Sequence, residues 1–377
     1  MRKEIVIGAL FGDEGKGTLV QWLCRKSLDE GRSPLVLRFT GGPQAAHTVK
    51  SSLAGRPVTH VFASFGSGSL LGIPTLYRPS SMIDPICLKN EWEVLKGKCS
   101  LQPIWDVRQA PIITPYDVEA NRNDAQNRED GTCGKGVYMA WKRTLSGLRF
   151  TLENVPEEIL SKVAHYYRTE RYASYDEMFT EAFEWARKEN RPLQEGNFDD
   201  WIFESTQGLL LDADRGFLPH VTATSTGLNA LDPSELDGAN VYLVVRTYLT
   251  RHGNGYEPLV LENYDLCDEE NETNGMNEFQ GRFKTGLFDF DLLNEAFERH
   301  SLAAYAHCRF HLAITHLDVV SRMGRMAYLK GGEVHQLHFR KEDACESVAR
   351  LFRENCALKF TSILCSDSPM GDFQRVG

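Results

Sequence analysis

The sequence predicts an α/β fold with one large, mainly parallel central sheet and helices on its flanks. Three observations predict it. Residues 4–9 form a short apolar run with β-branched members. A glycine-rich turn at Gly12, Gly15 and Gly17 breaks that run, and residues 18–29 then carry helical spacing, with Leu19, Trp22 and Leu23 on one side. Short apolar strands leading into polar or glycine-bearing runs return at 34–39, 201–205, 241–246, 311–315 and 361–365. Finally, no Pro/Gly/Ser-rich linker divides the chain, so residues 1–377 are expected as a single domain, with a helical excursion over about 156–190.

The composition excludes several function classes. The net charge is −10 over 377 residues, which argues against a duplex nucleic-acid partner, whose phosphates need a basic surface. A small anionic substrate in a local basic pocket remains compatible with it. The nine Cys are odd in number and contain no C-x-x-C pair, which suits reduced thiols in a cytoplasm rather than a disulfide frame or zinc ribbon. No apolar run is long enough to span a membrane, and the N-terminal residues read as a folded strand rather than a secretory leader. The expected location is cytoplasmic, the host cytoplasm if the source is viral.

The strand–turn–helix at 4–29 is the build of a phosphate cradle. Glycines let backbone N–H groups approach an anion, and the helix N-terminus adds partial positive charge. Lys16 can reach phosphate oxygens. Asp13 is the unusual member, because a carboxylate beside bound phosphate must hold Mg²⁺ or move a proton. The pattern is not a regular P-loop: Leu10 stands at its first glycine position and Gly17 follows Lys16. The bland alternative is a glycine turn between a strand and a helix.

Next in order, residues 34–39 read as a strand that enters Thr40-Gly-Gly-Pro-Gln-Ala-Ala-His-Thr48, a site loop at a strand's C-terminal end. Taken alone, His47 reads rather as a half-buried histidine bonded to backbone. A strand is expected at 58–65, a loop at 66–69, a helix start at 82–88 and a helix at 91–98. Residues 112–117 read as strand and turn, and 121–136 as a polar, glycine-bearing surface loop. Residues 156–190 read as helical, broken near Ala173, and 342–355 as a further helix.

The run Gly-Asp-Glu-Gly-Lys-Gly at 12–17 resembles the opening loop of adenylosuccinate synthetases, and further stretches resemble that family in order. Gly41, Gly42, Ala45, His47 and Thr48 match its Gly-Gly-His-Asn-Ala-Gly-His-Thr, with Pro43, Gln44 and Ala46 departing. Thr132, Gly134 and Gly136 match its Gly-Thr-Thr-Gly-Arg-Gly, with Cys133 for the second Thr. Residues 204–222 follow its Glu-Gly-Ala-Gln-Gly-Thr-Leu-Leu-Asp run, keeping fifteen positions between Gln207 and Thr222. Tyr248 to Gly255 parallels Tyr-Ser-Thr-Arg-Val-Gly-Ala-Gly, with His252 for Val. Asn277-Glu-Phe279 precedes Gly281 to Gly286, where Arg282 and Lys284 stand in for four consecutive arginines. Asp318 is kept from the triplet Lys-Leu-Asp, while His316 replaces its Lys.

The resemblance implies a P-loop-NTPase-like, NTP-dependent carbon–nitrogen ligase of purine biosynthesis. Such an enzyme phosphorylates O6 of a 6-oxopurine nucleoside monophosphate and couples L-aspartate at C6. The implied catalytic residues are Asp13, His47 and Lys16. The donor's phosphates fall to Gly12, Glu14, Gly15, Gly17, Thr18 and Thr48. The purine monophosphate falls to Gln44, Thr132, Cys133, Gln207, Thr222, Arg143 and Gly253, with Lys142 or Arg143 as the cation lent across a homodimer interface. Aspartate falls to Arg282, Lys284, Thr250 and Arg251, and the donor's base to His316, Asp318 and Ser366. Asp13 and the carbonyl of Ala46 are the implied ligands of Mg²⁺, which favours oxygen ligands and substrate phosphates.

Two questions stay open at this level. The acceptor is IMP, as in housekeeping members, or dGMP, as in viral relatives that make a 2-aminoadenine precursor; the departures at contact positions favour the viral branch. The donor is ATP or dATP, or GTP. A phosphotransferase or NTP hydrolase on a similar loop, or a non-catalytic nucleotide sensor, would share the cradle. No nucleic-acid or membrane partner is expected.

Overall fold

The structure is a computed structural model that describes residues 1–99, 101–266, 272, 274–276 and 278–376. Asn277 lies outside the described residues. The centre is a nine-stranded sheet. Its order is Gln374–Val376, Ser362–Cys365, Arg309–Thr315, Asn240–Arg246, Arg2–Gly8, Asp200–Gly208, Pro34–Arg38, Thr75–Tyr77 and Trp105–Asp106. Every pairing in it is parallel except that of the edge strand Gln374–Val376.

Period-two alternation sorts the strand side chains onto two buried faces. Ile5, Ile7, Leu35, Leu37, Leu243 and Leu312 pack on one face, which the helices Phe290–Arg299 and Ala344–Asn355 cover. Val6, Val36, Ile202, Val244 and Ala313 pack on the other, against Leu19, Val20 and Leu23 of the helix Lys16–Asp29. A third cluster joins the hairpin His47–Leu53/Arg56–Phe62 to the helices Pro85–Lys96, Pro156–Tyr167 and Ala173–Glu189.

Of the six sheet strands expected, five start and stop within two residues of expectation, and the one expected at 201–205 runs from Asp200 on to Gly208. Four local readings need correction. Residues 112–117 hold only an isolated bridge from Ile112 to Ile83, and a helix Pro115–Asn123 begins there, fixed by a capping box between Thr114 and Asp117. The loop over 121–136 contains a short helix, Ala125–Asp130, capped by Asp124. The break in the long helical stretch spans residues 168–172, opening at Arg168 in left-handed backbone and ending just before Ala173, so it lies slightly earlier than expected. His47 does not end a loop but opens a hairpin strand. Two further pairings carried no sequence expectation: Leu249–His252 with Phe283–Gly286, and the hairpin Arg325–Lys330/Glu333–His338.

Because the strands run parallel, their loops gather at one edge. Close backbone approach there explains one glycine. A Cβ on Gly8 would lie 2.3 Å from Glu14 Oε2 and 2.7 Å from the Gln207 carbonyl, so the first loop seats on the end of its neighbouring strand only because Gly8 has none.

Candidate active site

A cavity of about 500 Å³ opens at that edge. It is lined from every principal loop: Asp13, Lys16 and Thr18; Gln44, Ala46, His47 and Thr48; Thr132 and Cys133; Gln207 and Thr222; Arg251; His316, Asp318 and Ser366. Gly12, Gly15 and Gly17 also line it. Chain segments more than 350 residues apart therefore converge on a single space.

The first loop is held from inside. Glu14 is buried, and its carboxylate accepts from Leu10 N at 3.1 Å and Gly12 N at 2.8 Å, and pairs with Lys16 Nζ at 2.7 Å. Glu14 thus braces the loop and orients Lys16, and its carboxylate is not part of the cavity wall; any contact with phosphate falls to its backbone N–H. Gly15 caps the helix Lys16–Asp29 at φ 90°, and Asp13 sits in left-handed backbone at φ 61°. The Asp13 carbonyl accepts from Arg246 Nε at 2.5 Å, and Arg246 pairs with Glu272 at 2.7 Å. The Asp13 carboxyl is raised above the usual carboxylate range by burial, which the Arg246 guanidinium foremost, and Lys16, only partly offset. A raised carboxyl is a stronger base.

His47 Nδ1 lies 2.5 Å from Glu204 Oε1, and His47 Nε2 is buried without a partner among the described residues. Ser67 adds its backbone N–H to Glu204 Oε2 at 3.0 Å and its hydroxyl to Oε1. Burial alone would raise the Glu204 carboxyl, but His47, Arg38 and Ser67 outweigh it and bring it down to about 2. Gln44 presents a buried amide whose two polar atoms have no partner among the described residues. Buried polar groups are ordinarily bonded, so unpartnered ones along a cavity wall point to a ligand.

The remaining walls are built as firmly. Gln207 stands in left-handed backbone, φ 58°. Asp212 gathers the following loop by accepting from Thr226 N at 2.7 Å, Asp214 N at 3.0 Å and Arg215 N at 3.1 Å, which brings Thr222 to the cavity. Asn121 donates to Thr132 Oγ1 at 3.1 Å and accepts from Gly136 N at 3.2 Å, fixing the loop that carries Cys133. Burial pushes the Cys133 thiol up. Arg251 stacks over the Phe11 ring at 4.8 Å and, among the described residues, donates to the carbonyls of Asn254 and His220. With burial as the sole cause, it is pushed down to about 10. At the far end, His316 Nδ1 lies 2.9 Å from Thr315 Oγ1, and burial followed by the nearby Arg246 holds its pKa well below the ordinary value.

Several expected residues stand elsewhere. Arg143 is fully buried, with its guanidinium on Asp117 at 2.9 Å and on the carbonyls of Ile112 and Leu148 at 2.7 and 2.5 Å; it holds the core and lines no cavity. Of the two candidate cations on that helix, only Lys142 is exposed. Arg282 is exposed, and Lys284 is turned to Glu257; neither lines the cavity. Gly253 and Thr250 lie behind the wall. A Cβ on Gly253 would meet the Gln280 carbonyl at 2.6 Å, and Thr250 Oγ1 donates to the Gly12 carbonyl at 3.2 Å.

Sequence reasoning missed Glu204, Arg246, Glu272, His220, Lys50 and Lys135 as parts of the site. Glu204 had a signal, since it opens the Glu-x-x-Gln run that ends at Gln207. Glu272 had none.

Among the described residues no cluster of three or more His, Cys, Asp or Glu is disposed to hold a metal. A single carboxylate, Asp13, in the cavity that Ala46 also lines still fits Mg²⁺, which takes one or two protein oxygens together with substrate phosphates. No helix of the described residues is long and apolar enough to cross a membrane.

The comparisons with known proteins agree with this arrangement. The profile of the adenylosuccinate synthetase family matches residues 5–349. The adenylosuccinate synthetase of Azobacteroides pseudotrichonymphae is 30% identical over 301 residues, 72% of this chain and 68% of that protein. That of Nitrosomonas eutropha is 27% identical over 375 residues, 88% of this chain and 80% of that protein. Among solved structures, fully ligated adenylosuccinate synthetase from Plasmodium falciparum superposes with TM-score 0.75 at 18% identity, covering 97% of this chain and 98% of that one. The succinoaminodeoxyadenylate synthetase of cyanophage S-2L, bound to dGMP and dATP, superposes with TM-score 0.62 at 16% identity, covering 98% and 93%.

Proposed function

The chain belongs to the adenylosuccinate synthetase family of carbon–nitrogen ligases, and from that premise we propose that it joins L-aspartate to C6 of dGMP at the expense of a nucleoside triphosphate. IMP is the second reading of the acceptor, and a homodimer the expected assembly. The observation that carries the proposal is the pair of reactive groups in one cavity: a raised Asp13 carboxyl and a His47 whose Nδ1 is committed to Glu204 while Nε2 waits unpartnered.

A 6-oxopurine resists substitution because its oxygen leaves badly, and phosphorylation of that oxygen removes the difficulty. Asp13 takes the N1 proton, so that negative charge moves to O6 and O6 attacks the terminal phosphorus of the donor; the bond from that phosphorus to the bridging oxygen breaks, and the nucleoside diphosphate leaves with its electrons. Burial lowers the His47 pKa and Glu204 works against that shift; in its protonated form, with Nδ1–H held by Glu204, His47 donates from Nε2 to O6 while charge develops there. Lys16 is oriented by Glu14 toward the phosphates. Bound Mg²⁺, held by Asp13 and the Ala46 carbonyl, would neutralise phosphate charge. The aspartate amine then adds at C6, and phosphate departs with the C6–O6 bond electrons. Gln44 and Gln207 suit the purine edge, since an amide both donates and accepts. Thr132 and Thr222 suit the 5′-phosphate, and Arg251 suits an aspartate carboxylate.

The donor is read as an adenine nucleotide. Thr315 Oγ1 donates to the Glu14 carbonyl at 2.7 Å, so it can only accept from His316 Nδ1–H, which leaves Nε2 of the neutral ring as an acceptor. An acceptor suits the amine of adenine and repels the oxygen of guanine.

Product analysis tests the proposal. The protein is incubated with Mg²⁺, L-aspartate, ATP, dATP or GTP, and dGMP or IMP in turn, and both phosphate and the C6-substituted product are followed. The expected result is product from dGMP with an adenine donor. Phosphate release independent of aspartate and of purine monophosphate would instead identify an NTP hydrolase, and tight binding without product a sensor.

A further inference from the structure

His252 stands at the cavity wall where the resembling family motif has an apolar Val, and nothing in the proposed chemistry uses it. Three contacts fix its ring. It lies on the strand Leu249–His252, paired across to Phe283, and the Phe283 ring meets it edge-on at 5.0 Å. Its Nε2 lies 3.1 Å from the Gly275 carbonyl. A carbonyl oxygen only accepts, so Nε2 carries the proton, and in the neutral ring Nδ1 is left as an acceptor. That Nδ1 lies 3.8 Å from Asp13 Oδ2. Two acceptors therefore stand side by side on one wall, one of them the carboxylate read as the base for N1–H.

Resting on that reading of Asp13, we propose that His252 is a specificity-determining residue that accepts a hydrogen bond from the 2-amino group of the acceptor purine. N1–H and the 2-amino group are neighbouring donors on one edge of guanine, and Asp13 and His252 Nδ1 present neighbouring acceptors to them. Hypoxanthine has only a C–H at position 2, so it leaves Nδ1 unpaired in the closed site. A site built to hydrogen-bond a substrate N–H discriminates against the analogue that lacks it far better than an apolar pocket discriminates by size. Val at this position offers no such partner. The substrate class assigned to the site is the 2-amino-6-oxopurine nucleoside monophosphates.

The test compares dGMP with dIMP, which differ only in the 2-amino group. Dissociation constants are measured by calorimetry, and kcat/KM is measured wherever turnover occurs, for the wild type, His252→Val and His252→Phe. The wild type is expected to favour dGMP by about tenfold or more. Both variants should bring that ratio close to one, with the loss falling on dGMP. An unchanged ratio in the folded variants, or a wild type that binds dIMP as well as dGMP, overturns the proposal. If the variants fail to fold, the wild-type ratio decides. If neither nucleotide is turned over with any donor, the ligase reading fails by itself, and the binding ratio still tests His252.

Discussion

Glu204 and His47 come from strands that are not neighbours in sequence, yet Glu204 Oε1 and His47 Nδ1 lie 2.5 Å apart with almost no exposure to solvent. The carboxylate fixes which imidazole nitrogen carries a proton and which way the ring faces, as second partners of reactive histidines generally do. Glu204→Gln is expected to lower kcat by about a hundredfold with little change in the KM values. Since the two residues act as one unit, His47→Ala combined with Glu204→Ala should be scarcely worse than either alone. Multiplying defects in steady-state phosphate release would mean that they act separately.

Arg143 and Asp117 form an ion pair with both side chains wholly buried, and Tyr167 adds its hydroxyl to Asp117 at 2.8 Å. Arg143→Ala leaves a buried carboxylate uncompensated, which should cost about 3–5 kcal/mol of stability. Urea unfolding at neutral pH measures it. A variant as stable as the wild type but with weakened nucleotide monophosphate binding would restore the phosphate-binding role that the sequence suggested.

Arg251 offers a buried guanidinium with no carboxylate partner among the described residues, and although burial lowers it to about 10 it stays charged at neutral pH. A guanidinium grips a carboxylate at two points and an ammonium at one. Arg251→Lys should therefore raise the KM for L-aspartate by about tenfold or more and leave that for the purine nucleotide within about twofold. Steady-state kinetics with each substrate varied in turn separates the two, and an unchanged aspartate KM would refute the assignment.

His311, far along its strand from the cavity edge, packs against Tyr242 at 4.8 Å and Ser362 Oγ at 2.7 Å. Burial, with Arg375, Arg309 and Lys26 nearby, pushes its pKa down from 6.5 to about 4. The folded ring is neutral where the unfolded ring would be protonated, so this contribution to stability is present above pH 6.5 and is lost as the pH falls toward 4. Allowing for solvent screening, the loss is about 2 kcal/mol at most. Urea unfolding at pH 7 and pH 5 should show a smaller acid loss in His311→Phe than in the wild type. Equal losses would mean that the ring titrates normally.

The central strands were legible because each is a short apolar run ended by a loop that breaks the pattern. The cavity's outline was legible because matching runs such as 12–17 and 204–222 carry backbone-dictating glycines at fixed spacing. What the sequence hid depended on side-chain partners that only folding brings together. Arg143 looks like any basic helix residue until Asp117 is folded beneath it. Glu14 reads as a phosphate-loop residue until its carboxylate turns back to Leu10 and Gly12. The strand at 249–252 has too few residues for periodicity to register, and its partner at 283–286 lies some thirty positions further along the sequence.

His316 allows the donor's identity to be changed by one side chain. Its Nδ1–H is committed to Thr315 Oγ1, itself tied to the Glu14 carbonyl of the phosphate loop, so the ring cannot reverse its acceptor without breaking that chain. Lys at this position carries three donors and no acceptor. His316→Lys should therefore weaken an adenine donor and admit the oxygen of guanine, lowering the ratio of kcat/KM for ATP over GTP by about tenfold or more. Asp318, on the first turn of the following helix, is placed to accept from the N1–H and 2-amino group of a guanine admitted by the variant. Measuring both donors at saturating dGMP and aspartate decides the matter. A wild type that prefers GTP, or a folded His316→Lys variant with an unaltered ratio, would show that the donor's base is read by other groups.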